Sequence, residues 1–252
     1  DNPEPFKRFL FNGKVKASDG SAFSKTLENG VDPLEIIEQG YGADALRTYL
    51  MVAAPLELDS RWDPQGVPGT HRFLNRIWNL VQEFLEAEKT DQTDSVLRII
   101  HPVIKKVTHD LEEQKYNTAI AAMMEATNAL YVLKAKSGFG EHWQFALESL
   151  VALVAPFAPH MADELWQELG CTGSVQKDSW PKWDDRYLVS DTMTLAVQVN
   201  GKLRAEITVS AQMEQPMIES TALQDERVQE YVAGKKPLRV IYVPGRLVNI
   251  VV

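Results

Sequence analysis

"TLAVQVNGKLRAEITVS", residues 194–210, is where the chain changes its period. Apolar and polar residues alternate on both sides of Asn200-Gly201. That pair suits a two-residue hairpin turn because both positions need positive φ. The stretch reads as two strands, with Leu203, Ala205, Ile207 and Val209 on one face and Arg204, Glu206 and Thr208 on the other. Upstream, residues 69–170 follow a period of 3.6 instead. The fold class follows from the switch: mainly α, an antiparallel helical bundle, then a small α+β domain.

The bundle can be read helix by helix. Phe73, Ile77, Leu80, Val81 and Phe84 form one apolar stripe, while Arg72, Arg76 and Asn79 form a polar one at i, i+4, i+7. Val96, Ile100, Val103, Val107 and Leu111 repeat in a second helix, which Pro102 is expected to kink or restart. Asn117 is expected to cap a third, with Ile120, Met123, Met124, Thr127 and Leu130 facing inward. A fourth runs from near Glu141, breaks at Ala155-Pro156, and a fifth begins after Pro159. Before the bundle, residues 1 to about 31 look irregular. Asp32 caps a short helix with Pro33 at its first position and Glu35 completing a capping-box pattern, and a second helix covers about 43–52.

After the Trp- and Pro-containing linker "DSWPKWDDRY" (178–187) and the hairpin come a helical stretch over 215–232 and "LRVIYVPGRLVNIVV" (238–252), two strands around Pro244-Gly245. The expected division is 1–65, a loop region with connecting helices; 66–185, the bundle; and 186–252, the small α+β domain.

Composition narrows the function classes. A net charge of −9 argues against binding nucleic acid through bulk charge. The last 18 residues nevertheless hold Lys235, Lys236, Arg239 and Arg246 and no acid, so any RNA contact there is local. There is no apolar run long enough to span a membrane and no secretory signal at the N-terminus. The absence of an initiator Met suggests processing or excision from something longer. The lone Cys171 excludes an internal disulfide and fits a reducing compartment. His71, His101, His109, His142 and His160 make no metal-ligand pattern with it, so no metal is expected. No nucleophile elbow, Walker loop or dinucleotide loop is present, and the carboxylate pairs read as solvated. Arg72, Arg76, Lys105 and Lys106 could grip phosphates or could simply be a solvated face. The Ser24-Lys25-Thr26 triplet, in a loop before a helix start, could hold phosphate or be ordinary surface.

Several stretches together resemble the C-terminal half of a bacterial-type leucyl-tRNA synthetase. "EPFKRFLFNG" (4–13) and "NGVDPLEIIEQGYGADALRTYLMVAAP" (29–55) resemble the flanks of that family's signature loop. "RFLNRIWNLV" (72–81) and "FAPHMADELWQELG" (157–170) resemble its anticodon-binding helices, and "VQVNGKLRAEITV" (197–209) and "VIYVPGRLVNIVV" (240–252) its C-terminal domain. The likeness covers nearly the whole chain, in order. The family's loop reads Lys-Met-Ser-Lys-Ser; Ala22, Phe23, Ser24, Lys25 and Thr26 stand there, so the second lysine is kept and the first is not. In the family both lysines help stabilise ATP phosphates, and a charge-assisted hydrogen bond contributes about 1.5–3 kcal/mol. The resemblance therefore implies a weakened nucleotide loop, with Ser24, Lys25 and Thr26 as its ATP-binding residues.

The family's His-Ile-Gly-His motif and its editing domain are absent from these residues. The resemblance thus implies a tRNA-binding portion of a cytoplasmic ligase that attaches leucine to tRNA(Leu) at the expense of ATP, inactive in adenylation alone. Its partners would be tRNA(Leu) and the missing catalytic half, with no DNA and no membrane. The implied RNA contacts are Arg72, Arg76, Lys105 and Lys106 on the bundle, and Lys202, Arg204, Lys235, Lys236, Arg239 and Arg246 on the small domain. Two rivals stand beside this: a synthetase-derived paralogue or split subunit acting as an RNA-binding or assembly protein, and a plain helical protein-interaction domain.

Overall fold

Apolar periodicity predicts where the helices bury their faces, and the structure places them there. It is a computed structural model that describes residues 5–7, 9–90, 94–188, 192–210, 213–235 and 237–252. The chain divides into two units, Asp1–Leu188 and Val189–Val252.

In the first unit, β1 (Val15–Lys16) pairs in parallel with β2 (Ser60–Arg61), an element that the irregular reading of residues 1–31 missed. Between them lie α1 (Pro33–Glu38) and α2 (Gly42–Val52). Asp32 caps α1 by accepting from the Leu34 amide. Five longer helices follow: α3 (Gly66–Glu86), α4 (Ser95–Glu112), α5 (Tyr116–Ser137), α6 (Trp143–Val154) and α7 (Pro159–Glu168). Ile77, Leu80 and Val81 of α3, Ile100, Ile104 and Val107 of α4, Ile120, Met123 and Leu130 of α5, and Leu147, Leu150 and Leu153 of α6 have no exposed surface. Burying each such side chain contributes about 1.5–3 kcal/mol.

Two expectations about helix ends are corrected. α4 runs unbroken through Pro102; packing of its apolar stripe outweighs one missing amide hydrogen bond. α5 begins one residue before Asn117, its first residue is preceded by Lys115, and no side chain caps it.

After α7 the linker packs back onto the bundle. The Trp180 indole N–H donates to Thr108 Oγ1 at 2.8 Å. Tyr187 stacks on His101 with ring centroids 4.9 Å apart and planes 9° from parallel. His101, only 5% exposed, accepts the Asp184 amide N–H on Nδ1 at 3.2 Å. Burial lowers its pKa, opposed by the Asp184 carboxylate and aided by Arg186. The unfolded chain therefore takes up this proton first as pH falls through the ordinary imidazole value of about 6.5. Stability from this contact is present above that pH and is lost below it. The urea midpoint of the first unit should fall between pH 7.5 and 5.5, and His101→Phe should flatten that slope; equal slopes in both proteins would refute the assignment.

The second unit is a four-stranded sheet in the order β4-β3-β6-β5, made from β3 (Thr192–Val199), β4 (Lys202–Ser210), β5 (Arg239–Val243) and β6 (Leu247–Val251). The two hairpins meet where β3 and β6 run parallel. The expected single helix over 215–232 is two, α8 (Gln215–Gln224) and α9 (Glu226–Val232), because Asp225 is extended and caps α9 through the Arg227 and Val228 amides. Ile218, Ala222 and Val228 pack on Leu195, Val197, Ile207 and Val248. Asn200 and Gly201 both take positive φ, as the hairpin turn requires.

The hairpin's facing pattern is corrected at one point. Val197 pairs with Ala205 but Gln198 pairs with Leu203, so Arg204 is an extra, unpaired residue in β4. Beyond this bulge the parity flips. Leu203 leaves the buried row and is 58% exposed, while Ala205, Ile207 and Val209 stay buried.

Candidate nucleic-acid interface

The signature-position loop is held by one side chain that the sequence reading did not single out. Asn29 accepts the Ser24 amide N–H on Oδ1 at 2.8 Å and donates from Nδ2 to Ser21 Oγ and to the Ala22 carbonyl. Ser24 Oγ in turn accepts the Thr26 amide at 3.2 Å. Its only sequence signal was Asn29-Gly30 as a turn pair. Lys25 and Thr26 are exposed and Ser24 is half-buried. A recess of about 630 Å³ is lined by Phe23, Ser24, Lys25, Glu28, Gly30, Val31 and Asp32. It faces a phosphate with one cation against the carboxylates of Glu28 and Asp32. Like charges oppose there, so these residues alone do not fit the triphosphate of ATP, and no activation step is assigned to them.

On the bundle, α3 carries two rows side by side outside its buried stripe, one exposed and one mostly half-buried. Arg72 and Arg76 belong to one. Arg76 is braced: its guanidinium donates to Asn128 Oδ1 and lies 4.8 Å from the Tyr131 ring centroid, while the Tyr131 hydroxyl donates to the Arg76 carbonyl. Arg72 makes no ion pair among the described residues. The other row is His71, Asn75 and Trp78, which with Tyr41, Leu74 and Met161 line a cleft of about 440 Å³.

On α4, Lys105 and Lys106 are already engaged. Lys106 pairs at 2.8 Å with Asp110, whose side chain is 6% exposed, and Lys105 lies 3.7 Å from Asp185 and near the Trp183 ring. A nearly buried carboxylate needs its cation, so Lys106 neutralises Asp110 before it can serve a ligand.

In the second unit the cations do not form one patch. Lys202 opens β4, and Arg239 pairs with Val251, so both sit at the hairpin-turn end of the sheet. Arg246 precedes β6, whose Leu247 lies beside Ala196, and so belongs to the opposite end. Lys202, Lys235, Arg239 and Arg246 are exposed; Lys236 lies outside the described residues. Arg204 is not on the open face: its guanidinium carbon stands 3.9 Å over the Tyr231 ring, and its Nε is buried without a partner. The bulge turns it there, which strict alternation could not foretell.

Among the described residues no group of three or more His, Cys, Asp or Glu could hold a metal ion, and no helix is long and apolar enough to cross a membrane. The Cys171 thiol is pushed up to about 11, chiefly by burial and then by Glu148, so it is a poor nucleophile.

Comparison with known proteins places this geometry. Residues 93–219 match the family described as the anticodon-binding domain of tRNA ligase, and residues 1–63 match class I tRNA synthetases of the I, L, M and V group. A leucine–tRNA ligase of Syntrophobacter fumaroxidans is 42% identical over 99% of this chain and 32% of its own length. One from Thioalkalivibrio sulfidiphilus is 43% identical over 100% of this chain and 32% of its own. Among solved structures, the ternary complex of Agrobacterium radiobacter K84 agnB2 LeuRS with tRNA and LeuAMS superposes with a TM-score of 0.72 at 30% identity, over 95% of this chain and 33% of that one. The chain thus spans about a third of the length of the curated relatives it matches.

Proposed function

Since the chain belongs to the anticodon-binding family of tRNA ligases, we propose that it is the RNA-holding portion of a cytoplasmic leucine–tRNA ligase. It serves the ATP-dependent attachment of leucine to tRNA(Leu) and does not activate leucine by itself. The observation that carries the reading is the chain-long match to leucine–tRNA ligases, at 42% identity over 99% of the chain. The bundle presents Arg72, with Arg76 braced beside it, to the RNA backbone, and the second unit adds Lys202 and Arg239 at one end of its sheet. Lys25 supplies a single cation to a nucleotide site completed by other parts of the ligase. Those parts also cover Phe6, Phe9 and Phe11, each at least 70% exposed. Apolar rings in water at that density mark a surface meant for a partner.

A gel-retardation titration with leucine tRNA tests this. A complex made through about four phosphate contacts should weaken about 50- to 150-fold between about 50 and 200 mM salt. A complex indifferent to salt, or none at all, would leave only the protein-interaction reading. Leucine-dependent pyrophosphate exchange by the isolated chain would overturn its catalytic silence. The loss of lysine at Ala22 favours the second reading, a synthetase-derived paralogue or split subunit in which demand on the loop is relaxed; it predicts tRNA binding without leucine-tRNA preference.

A further inference from the structure

The geometry points to a nucleobase pocket on α3, lined by His71, Asn75 and Trp78, that takes one unstacked base carrying an exocyclic amine: adenine, cytosine or guanine. The inference deepens the RNA-holding reading and rests on it.

The tautomer of His71 is fixed by its neighbour. Nδ1 lies 3.1 Å from the Tyr41 carbonyl oxygen, which can only accept. The hydrogen is therefore on Nδ1, and in the neutral ring Nε2 is left as an acceptor. Tyr41 also holds the ring edge-on, with centroids 5.5 Å apart. Asp44, also in the lining, is spoken for: it accepts from the His160 ring and from the Met161 amide. Beside Tyr41 and His160, the α3 side of the cleft offers an acceptor at His71 Nε2, an amide at Asn75 that both donates and accepts, and the flat indole of Trp78, half-buried beside Leu74. An amine on a planar heterocycle satisfies the first, its ring nitrogen the second, and its face the third. The cleft, about 440 Å³, lies in the size range of small-molecule sites.

Placement supplies the occupant. His71, Asn75 and Trp78 follow the i, i+4, i+7 row directly beside Arg72, Arg76 and Asn79 on the same helix. One row faces a backbone with cations while its neighbour offers an aromatic, hydrogen-bonding cleft, so a strand gripped at its phosphates can turn a base into the adjacent recess.

The test uses mononucleotides, so it does not depend on tRNA binding. Adenosine, cytidine, guanosine and uridine 5′-monophosphates are titrated into the whole chain, reading the His71 ring and Asn75 side-chain amide by NMR. Adenosine, cytidine and guanosine monophosphates should shift both groups, with affinity about tenfold or more above uridine monophosphate, which has no exocyclic amine and whose carbonyl meets the Nε2 lone pair unfavourably. His71→Phe, which keeps an aromatic ring beside Tyr41 but no acceptor, should abolish that preference, with the bundle's other amide signals unmoved. Absence of shifts, or equal shifts with uridine monophosphate, overturns the pocket even if leucine tRNA is retained in the gel. Mononucleotide preference without tRNA retention would instead overturn the RNA-holding reading and leave the pocket standing.

Discussion

Arg72→Glu is expected to weaken retention of leucine tRNA by about 10- to 150-fold, the equivalent of one charge-assisted phosphate contact of about 1.5–3 kcal/mol. Arg72 is the exposed bundle cation whose loss has the fewest side effects. It pairs with no carboxylate among the described residues, and a Cβ added at Gly69 would stand 3.9 Å from its guanidinium. Arg76 is a poorer probe. Its reversal also removes the Asn128 contact and places a carboxylate against Tyr131, so lost binding would be mixed with a loosened α3–α5 contact. Lys106→Glu would set a second acid beside the nearly buried Asp110 and is expected to unfold the bundle before it informs about RNA. Adding Arg239→Glu to Arg72→Glu should lower affinity further and reduce the dependence on log salt by about one contact per site. Retention unchanged in the double variant, with thermal stability intact, would remove the bundle and the sheet together from the RNA interface.

The contrast among these cations shows what sequence could and could not deliver. Helices α3 to α7 were legible because burial acts through period: Phe73, Ile77, Leu80, Val81 and Phe84 could lie on one buried stripe only in a helix, and all five are buried. The hairpin was legible because Asn200-Gly201 meets a backbone demand few pairs satisfy. What escaped was non-local. Pro102 reads as a breaker in isolation, yet packing on both sides carries α4 through it. Arg204 reads as outward by alternation, yet a single extra residue turns it over Tyr231. Lys105 and Lys106 read as a free basic pair, whereas Asp185 lies 80 residues ahead and Asp110 sits one turn away, buried by neighbours no local pattern names. Asn29 was visible only as a turn residue, although it ties together the loop that bears Lys25.

Asp44→Ala should destabilise the first unit by about 2–3 kcal/mol. α7 begins at Pro159, and the residue before it, Ala158, offers no side-chain cap. The cap arrives instead from the first turn of α2. Asp44 Oδ2 accepts the Met161 amide at 2.8 Å and Oδ1 accepts the His160 ring Nδ1 at 2.7 Å, across more than 110 residues of chain. With its side chain 12% exposed, the carboxylate gains from both donors with little competition from water. It also lies where the helix dipole favours a negative charge. Removing it leaves the Met161 amide half-buried without its acceptor and frees the segment before the bundle to part from α7. Asp44→Asn should recover less than half of the loss, since only one of the two oxygens now used is still an acceptor and the NH₂ must face the other donor. Urea unfolding followed by amide exchange reads both effects: the α2 and α7 amides should lose protection together, while the β3–β6 amides of the second unit, whose apolar core is separate, keep theirs. If Asp44→Ala left the midpoint unmoved, the joint between the loop-bearing segment and the bundle would have to rest on Tyr49, Thr70 and the α2–α3 packing instead.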